Sequence, residues 1–199
     1  AELHDSITRM DGSFKKLVKG ISHLLTFCKP ENIVMTTVLI KQNYSHVAAI
    51  KNFIHSLGLN TMSCRLPYPV TGSKNDRYAS VAVEITKMMP YLFPLFSEVM
   101  LDMFYPCIFF MYLWENPQLA SSSPKSFQSL SFLLNPTASI AENIYLNVLD
   151  EEKNMEQLRV CTVVCPHVKQ CVLSMYCPKR IFLQYLQLFG SKEFHCVTE

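Results

Sequence analysis

The sequence predicts an α/β protein built on a parallel sheet and followed by a cysteine-rich tail, and three observations predict it. Strand-like and helix-like segments alternate over the first half of the chain with a period of about 30 residues, the repeat of βα units. The best strand candidate, residues 33–40 (IVMTTVLI), is a run of eight mostly β-branched residues, as strands covered by helices on both faces are. Four of the eight cysteines fall within residues 161–177 of the 199-residue chain.

Asp11, Gly12 and Ser13 set up the first helix, with Ser13 as N-cap. Phe14, Leu17, Val18, Ile21, Leu24 and Leu25 then recur at helical spacing, and Pro30 lies just beyond the end. After strand 33–40, Asn43-Tyr44-Ser45 leads into a helix with Val47, Ile50, Phe53, Ile54 and Leu57 turned inward and Gly58 as its C′ residue. Residues 61–67 read as the next strand and 68–78 as a Pro/Gly/Asn-containing loop. Residues 80–89 read as a third helix and 99–104 as a third strand. Parallel neighbours joined this way are almost always right-handed, so the piece is a layered half-barrel or an open sheet. Beyond Cys107 the alternation stops. Residues 116–126 are Pro- and Ser-rich and read as a linker, 127–149 have no clean period, and 150–152 are an acidic turn. A final helix is expected from Pro178, with Phe182, Tyr185, Leu186 and Phe189 apolar and Gly190 at its end. Three regions follow: 1–115, 116–160 and 161–199.

An apolar content of 49% against 17% charged residues predicts a folded chain. A net charge of +2 with scattered Lys and Arg gives no electrostatic case for nucleic acid. Residues 88–114 are almost wholly apolar, but Pro90, Pro94, Pro106, Glu98 and Asp102 interrupt them, so no membrane span is expected. The chain opens Ala1-Glu2-Leu3-His4 without Met or secretion signal, which sets the expectation of a cytoplasmic fragment with reduced thiols. No Ser/His/Asp set, glycine-rich phosphate loop or H-E-x-x-H motif supports a hydrolase or nucleoside triphosphatase.

Reduced clustered thiols read as metal ligands. Cys161, Cys165, Cys171 and Cys177 are spaced C-x3-C-x5-C-x5-C. Thiolates are soft donors, and four of them close either a tetrahedral zinc or a [4Fe–4S] cube. The spacing lacks the short paired knuckles of structural zinc and suits a cluster better, with prolines after Cys165 and Cys177 stiffening the loops. The bland alternative is four small buried hydrophobes. His167 is a further candidate ligand, although a lone loop histidine is more often solvated.

Leu3-His4-Asp5-Ser6-Ile7-Thr8 with Gly12-Ser13-Phe14 resembles the “HD-x-I-T … GSF” stretch that follows the third barrel strand in radical S-adenosylmethionine (radical SAM) proteins of the SPASM/Twitch-related group. Thr37 to Tyr44 is similar to that family's fourth strand and its “T-x-x-N-Y” turn. Arg65-Leu66-Pro67-Tyr68-Pro69-Val70 with Gly72 resembles the end of its fifth strand, and Tyr105-Pro106-Cys107 a “P-x-C” after its sixth. Lys169-Gln170-Cys171, Cys177-Pro178, Tyr185-Leu186 and Phe189-Gly190 resemble its auxiliary-cluster tail.

The resemblance implies the later half of a partial (β/α)6 TIM-like barrel followed by a small cysteine-rich cluster region. It carries Cys107, Cys171 and Cys177 over as ligands of an auxiliary [4Fe–4S] cluster. Val168 stands where the first Cys of a C-x2-C pair belongs, which leaves Cys165 or Cys161 to supply the fourth thiolate. Lys179 replaces a glycine of the pattern, and Cys196 matches no position in it. The C-x3-C-x2-C loop that binds the SAM-cleaving cluster is absent, so SAM is expected as a cofactor only with a missing N-terminal half. The expected function is therefore a barrel wall and auxiliary site for peptide or small-molecule chemistry, completed by that half or by a homodimer mate. Lys41, Asn43 and Arg65, at strand C-termini where α/β barrels bind ligands, are the candidate cofactor contacts. The alternative is a non-catalytic interaction module stabilised by zinc or a cluster.

Overall fold

The computed structural model describes residues 1–67, 75–96, 98–102, 105–122, 162–172, 180–196 and 198. Cys161 and Cys177 lie outside the described residues, as does the segment 127–149.

The chain opens with two helices, α1 (Glu2–Thr8) and α2 (Ser13–Leu24). Ser13 is not the N-cap expected. Gly12 occupies that position with φ 72°, in the left-handed region, and the cap comes from the preceding helix. The Asp5 carboxylate accepts hydrogen bonds from the Gly12 and Phe14 amides at 2.9 and 2.7 Å and from the Ser13 hydroxyl at 2.7 Å. These donors hold the Asp5 carboxyl down at about 2, led by Ser13 and Phe14. The “HD … GS” stretch thus works locally as a cap between two helices.

Strands β1 (Val34–Val38), β2 (Thr61–Arg65) and β3 (Met100–Asp102) form a parallel sheet in sequential order, with Val38 opposite Arg65 and Arg65 opposite Asp102. Helix α3 (Val47–Ser56) connects the first pair, buries Val47 and Ile54, and ends before Gly58 at φ 80°, as the sequence predicts. Its Lys51 is also buried and pairs with Glu98. Between β2 and β3 the sequence predicts one helix over 80–89. The structure has two, α4 (Asn75–Val81) and α5 (Ile85–Leu92), separated by Ala82, Val83 and Glu84. The fold is therefore α/β with a parallel sheet. Met62, Ser63 and Cys64 of β2 are buried, so this central strand forms the floor of the core.

Helix α6 (Pro106–Glu115) occupies a stretch whose sequence shows no helical stripe. Its residues are apolar almost all round, which erases the periodic signal even though Cys107, Ile108, Phe109 and Leu113 are buried. The expected linker from 116 instead opens with a short helix, α7 (Pro117–Ser122), whose first-position proline suits a helix start. After the segment outside the described residues, β4 (Thr162–Val164) pairs antiparallel with β5 (Arg180–Phe182). Strand β5 takes the start of the expected last helix, so α8 covers only Leu183–Phe189, followed by Gly190 at φ 74°. Among the described residues, no helix is long and apolar enough to cross a membrane.

Candidate thiol site

Three separate pieces of chain meet beside α6. Cys107 enters from the parallel sheet, five residues beyond the end of β3 and in the first turn of α6, where it is buried. Cys165 follows β4 directly and Cys171 closes the next turn. The His167 carbonyl accepts from the amides of Gln170 and Cys171 at 3.0 and 2.9 Å, and Val168 N–H donates to the Cys165 carbonyl at 3.2 Å. This tight turn holds both thiols half-buried against the core. Val168 itself adds no ligand.

The third piece is the tail after α8, and the sequence gave no reason to expect it. Phe194 is buried with its ring centroid 4.9 Å from Tyr105 and 5.9 Å from Tyr185. The next residue, His195, donates its backbone N–H to the Cys107 sulfur. The next again, Cys196, donates its thiol hydrogen to Cys171. Burial pushes the Cys107 thiol up, and the neighbouring Cys165 and Cys171 push it further, against the pull of the His195 and Ile108 amides. Cys196 is pushed up by desolvation and by the same two cysteines. Mutual repulsion of this kind is what four adjoining thiols experience when no cation is there to stabilise their thiolates. Among the described residues, no three His, Cys, Asp or Glu side chains stand in a ligating arrangement. The four thiols are neighbours whose side chains must turn inward to close a coordination sphere.

The tail is fastened by polar contacts as well. Glu193 is only 3% exposed and accepts from the Thr86 amide at 2.8 Å, from the Thr86 hydroxyl and from the Tyr185 hydroxyl. Tyr185 in turn accepts from the Ile85 amide at 2.9 Å. These are the first amides of α5, so residues 185 and 193 supply the cap that this helix lacks locally. Glu84, just before them, binds Lys87 at 2.7 Å and Lys192 at 2.9 Å, and both lysines hold its carboxyl below the usual range. The gap between α4 and α5 is thus the socket for the tail.

The candidate cofactor contacts have structural partners. Asn43 is buried, accepts from the Ile40 amide at 2.8 Å and donates to the Val38 carbonyl at 2.9 Å, closing the turn after β1. Lys41 donates to the Ala79 carbonyl at 2.7 Å. Arg65 ends β2, with its carbonyl accepting from Leu39 N–H at 2.8 Å. Cys64 is fully buried in β2, and burial alone pushes its thiol up to about 12, so it is a core residue. Of the five predicted thiol ligands, Cys107, Cys165 and Cys171 are brought together, while Cys161 and Cys177 lie outside the described residues. No protein-family model matches the chain, and neither the curated proteins nor the solved structures contain a match.

Proposed function

We propose that this chain is the later part of a radical SAM barrel with its auxiliary [4Fe–4S] site, and that Cys107, Cys165 and Cys171 belong to that site. The observation that carries the reading is the meeting of Cys107, which follows the sheet, with two cysteines from a distant antiparallel hairpin. Core packing needs no such convergence of thiols. Soft, adjoining sulfurs suit iron–sulfur or zinc chemistry and no harder ion. The sheet supports the barrel half of the proposal: its strands are parallel and in sequential order, and the outer edge of β1 has no partner among the described residues. Val34 and Val38 of β1 are 50% and 44% exposed, where strands of a closed barrel are covered. An N-terminal half of the barrel, or a second copy, is the natural cover.

A bound auxiliary cluster supplies electron transfer or an open iron position for a substrate atom. The chain's own part is to hold that group against the barrel wall and exclude water from it, through Phe194, Tyr105 and the first turn of α6. SAM cleavage itself requires the C-x3-C-x2-C loop, which this chain lacks. Arg65, at the C-terminal end of β2, remains the best side chain for a carboxylate of SAM or of a peptide substrate. Lys41 and Asn43 serve the turn. The test is anaerobic purification followed by iron, sulfide and zinc analysis of the wild type and Cys171→Ser. About four irons per chain, lost in Cys171→Ser, supports the reading. Zinc without sulfide moves it to the structural-module alternative, and no metal rejects it.

A further inference from the structure

Four thiolates close a cubane, and the family pattern supplies only three here once Val168 has replaced a ligand. Two described cysteines outside the tail lie elsewhere: Cys64 is sealed in β2, and Cys28 follows α2. Cys196 is different. Three consecutive residues stitch its segment across the site: Phe194 lies on Tyr105, His195 N–H points at the Cys107 sulfur, and the Cys196 thiol meets Cys171. Consecutive Cα atoms are about 3.8 Å apart, so anchoring residues 194 and 195 leaves Cys196 little room to stray from Cys107. The anchor is itself over-determined, because Glu193 is bound through three hydrogen bonds from Thr86 and Tyr185.

We infer that Cys196 is the fourth thiolate of the auxiliary site, delivered from the end of the chain to join Cys107, Cys165 and Cys171 where Val168 cannot serve. The inference rests on the metal-site reading above and deepens it by fixing the ligand set. It removes Cys161 and Cys177 from the coordination sphere, in departure from the family pattern. It also gives the socket at the start of α5 a purpose, since a ligand on a loose chain end binds metal weakly. The His195 amide keeps a hydrogen bond to the Cys107 sulfur when that sulfur is a ligand, a contact that stabilises negative charge on an iron-bound thiolate.

The full chain is reconstituted anaerobically with ferrous iron and sulfide, pulsed with iodoacetamide, and mapped by peptide mass spectrometry beside the metal-free form. Cys107, Cys165, Cys171 and Cys196 should gain at least about tenfold protection on loading, while Cys161 and Cys177 react equally in both forms. In parallel, Cys196→Ser should lose iron to the same extent as Cys171→Ser, with unchanged far-ultraviolet circular dichroism, because Cys196 is half-exposed. Loading that protects Cys161 or Cys177 and leaves Cys196 reactive overturns this ligand set but keeps the metal site. Failure of the wild type to take up iron overturns both.

Discussion

Replacing Tyr185 by Phe removes one oxygen atom and tests whether the tail is held as described. Tyr185 is 4% exposed, and its hydroxyl makes two hydrogen bonds, accepting from Ile85 N–H at 2.9 Å and donating to Glu193. Phenylalanine fits the same space, so the packing on Phe189 and Phe194 persists and no cavity opens. What is lost is polar. A bond to a charged group contributes about 1.5–3 kcal/mol, and a buried amide left without its acceptor costs about 1–3 kcal/mol. Thr86 still binds the other Glu193 oxygen, which limits the damage, so the net loss should be about 2–4 kcal/mol. Urea unfolding of the metal-free protein, followed by far-ultraviolet circular dichroism, measures it. The single tryptophan is a poor probe because Trp114 is 82% exposed. The midpoint should fall with an unchanged m-value. A loss below about 0.5 kcal/mol would refute the reasoning, since a surface substitution does as much. Because the same tail carries Cys196, Tyr185→Phe should also shed iron to a chelator several-fold faster than the wild type.

Two further predictions concern the other end of the chain. The carboxyl of Asp5 is held at about 2, below the ordinary value of about 3.9, so its contribution to stability is fully present above about pH 4 and lost as the pH falls through about 2. The urea midpoint of the wild type should therefore exceed that of Asp5→Asn at pH 7, and the difference should shrink towards pH 2; a pH-independent difference would contradict this cap. The exposed outer edge of β1 predicts concentration-dependent self-association, and Val34→Lys with Val38→Lys should suppress it in sedimentation velocity. A wild type that stays monomeric at high concentration would show that this edge needs no cover.

The sheet was legible because its strands announce themselves locally: residues 33–40 form a β-branched run, and β1 takes its middle. Helices with a one-sided stripe were legible too, as with Val47 and Ile54 of α3. Helix α6 was not, because a segment buried on most sides has no stripe to read. The break between α4 and α5 was also hidden. What ends one helix and starts the next there is a cap from residues 185 and 193, about a hundred positions away in sequence. The same distance hid the thiol site's last member. Cys165 and Cys171 stood out by spacing, and Cys107 by resemblance. Cys196 follows a helix and a turn in no recognisable pattern, and only its fold neighbours Cys107 and Cys171 give it a role. Lys41 and Asn43 were singled out for their positions at a strand end, where the turn itself uses them.

The central claim is that the thiols of this chain hold an iron–sulfur cluster. X-ray absorption at the iron and zinc edges of the anaerobically purified full chain tests it most directly. The account predicts iron with a sulfur-only first shell at about 2.3 Å and a second shell of neighbouring irons. A zinc edge with four sulfurs and no iron, or no bound metal, would contradict it.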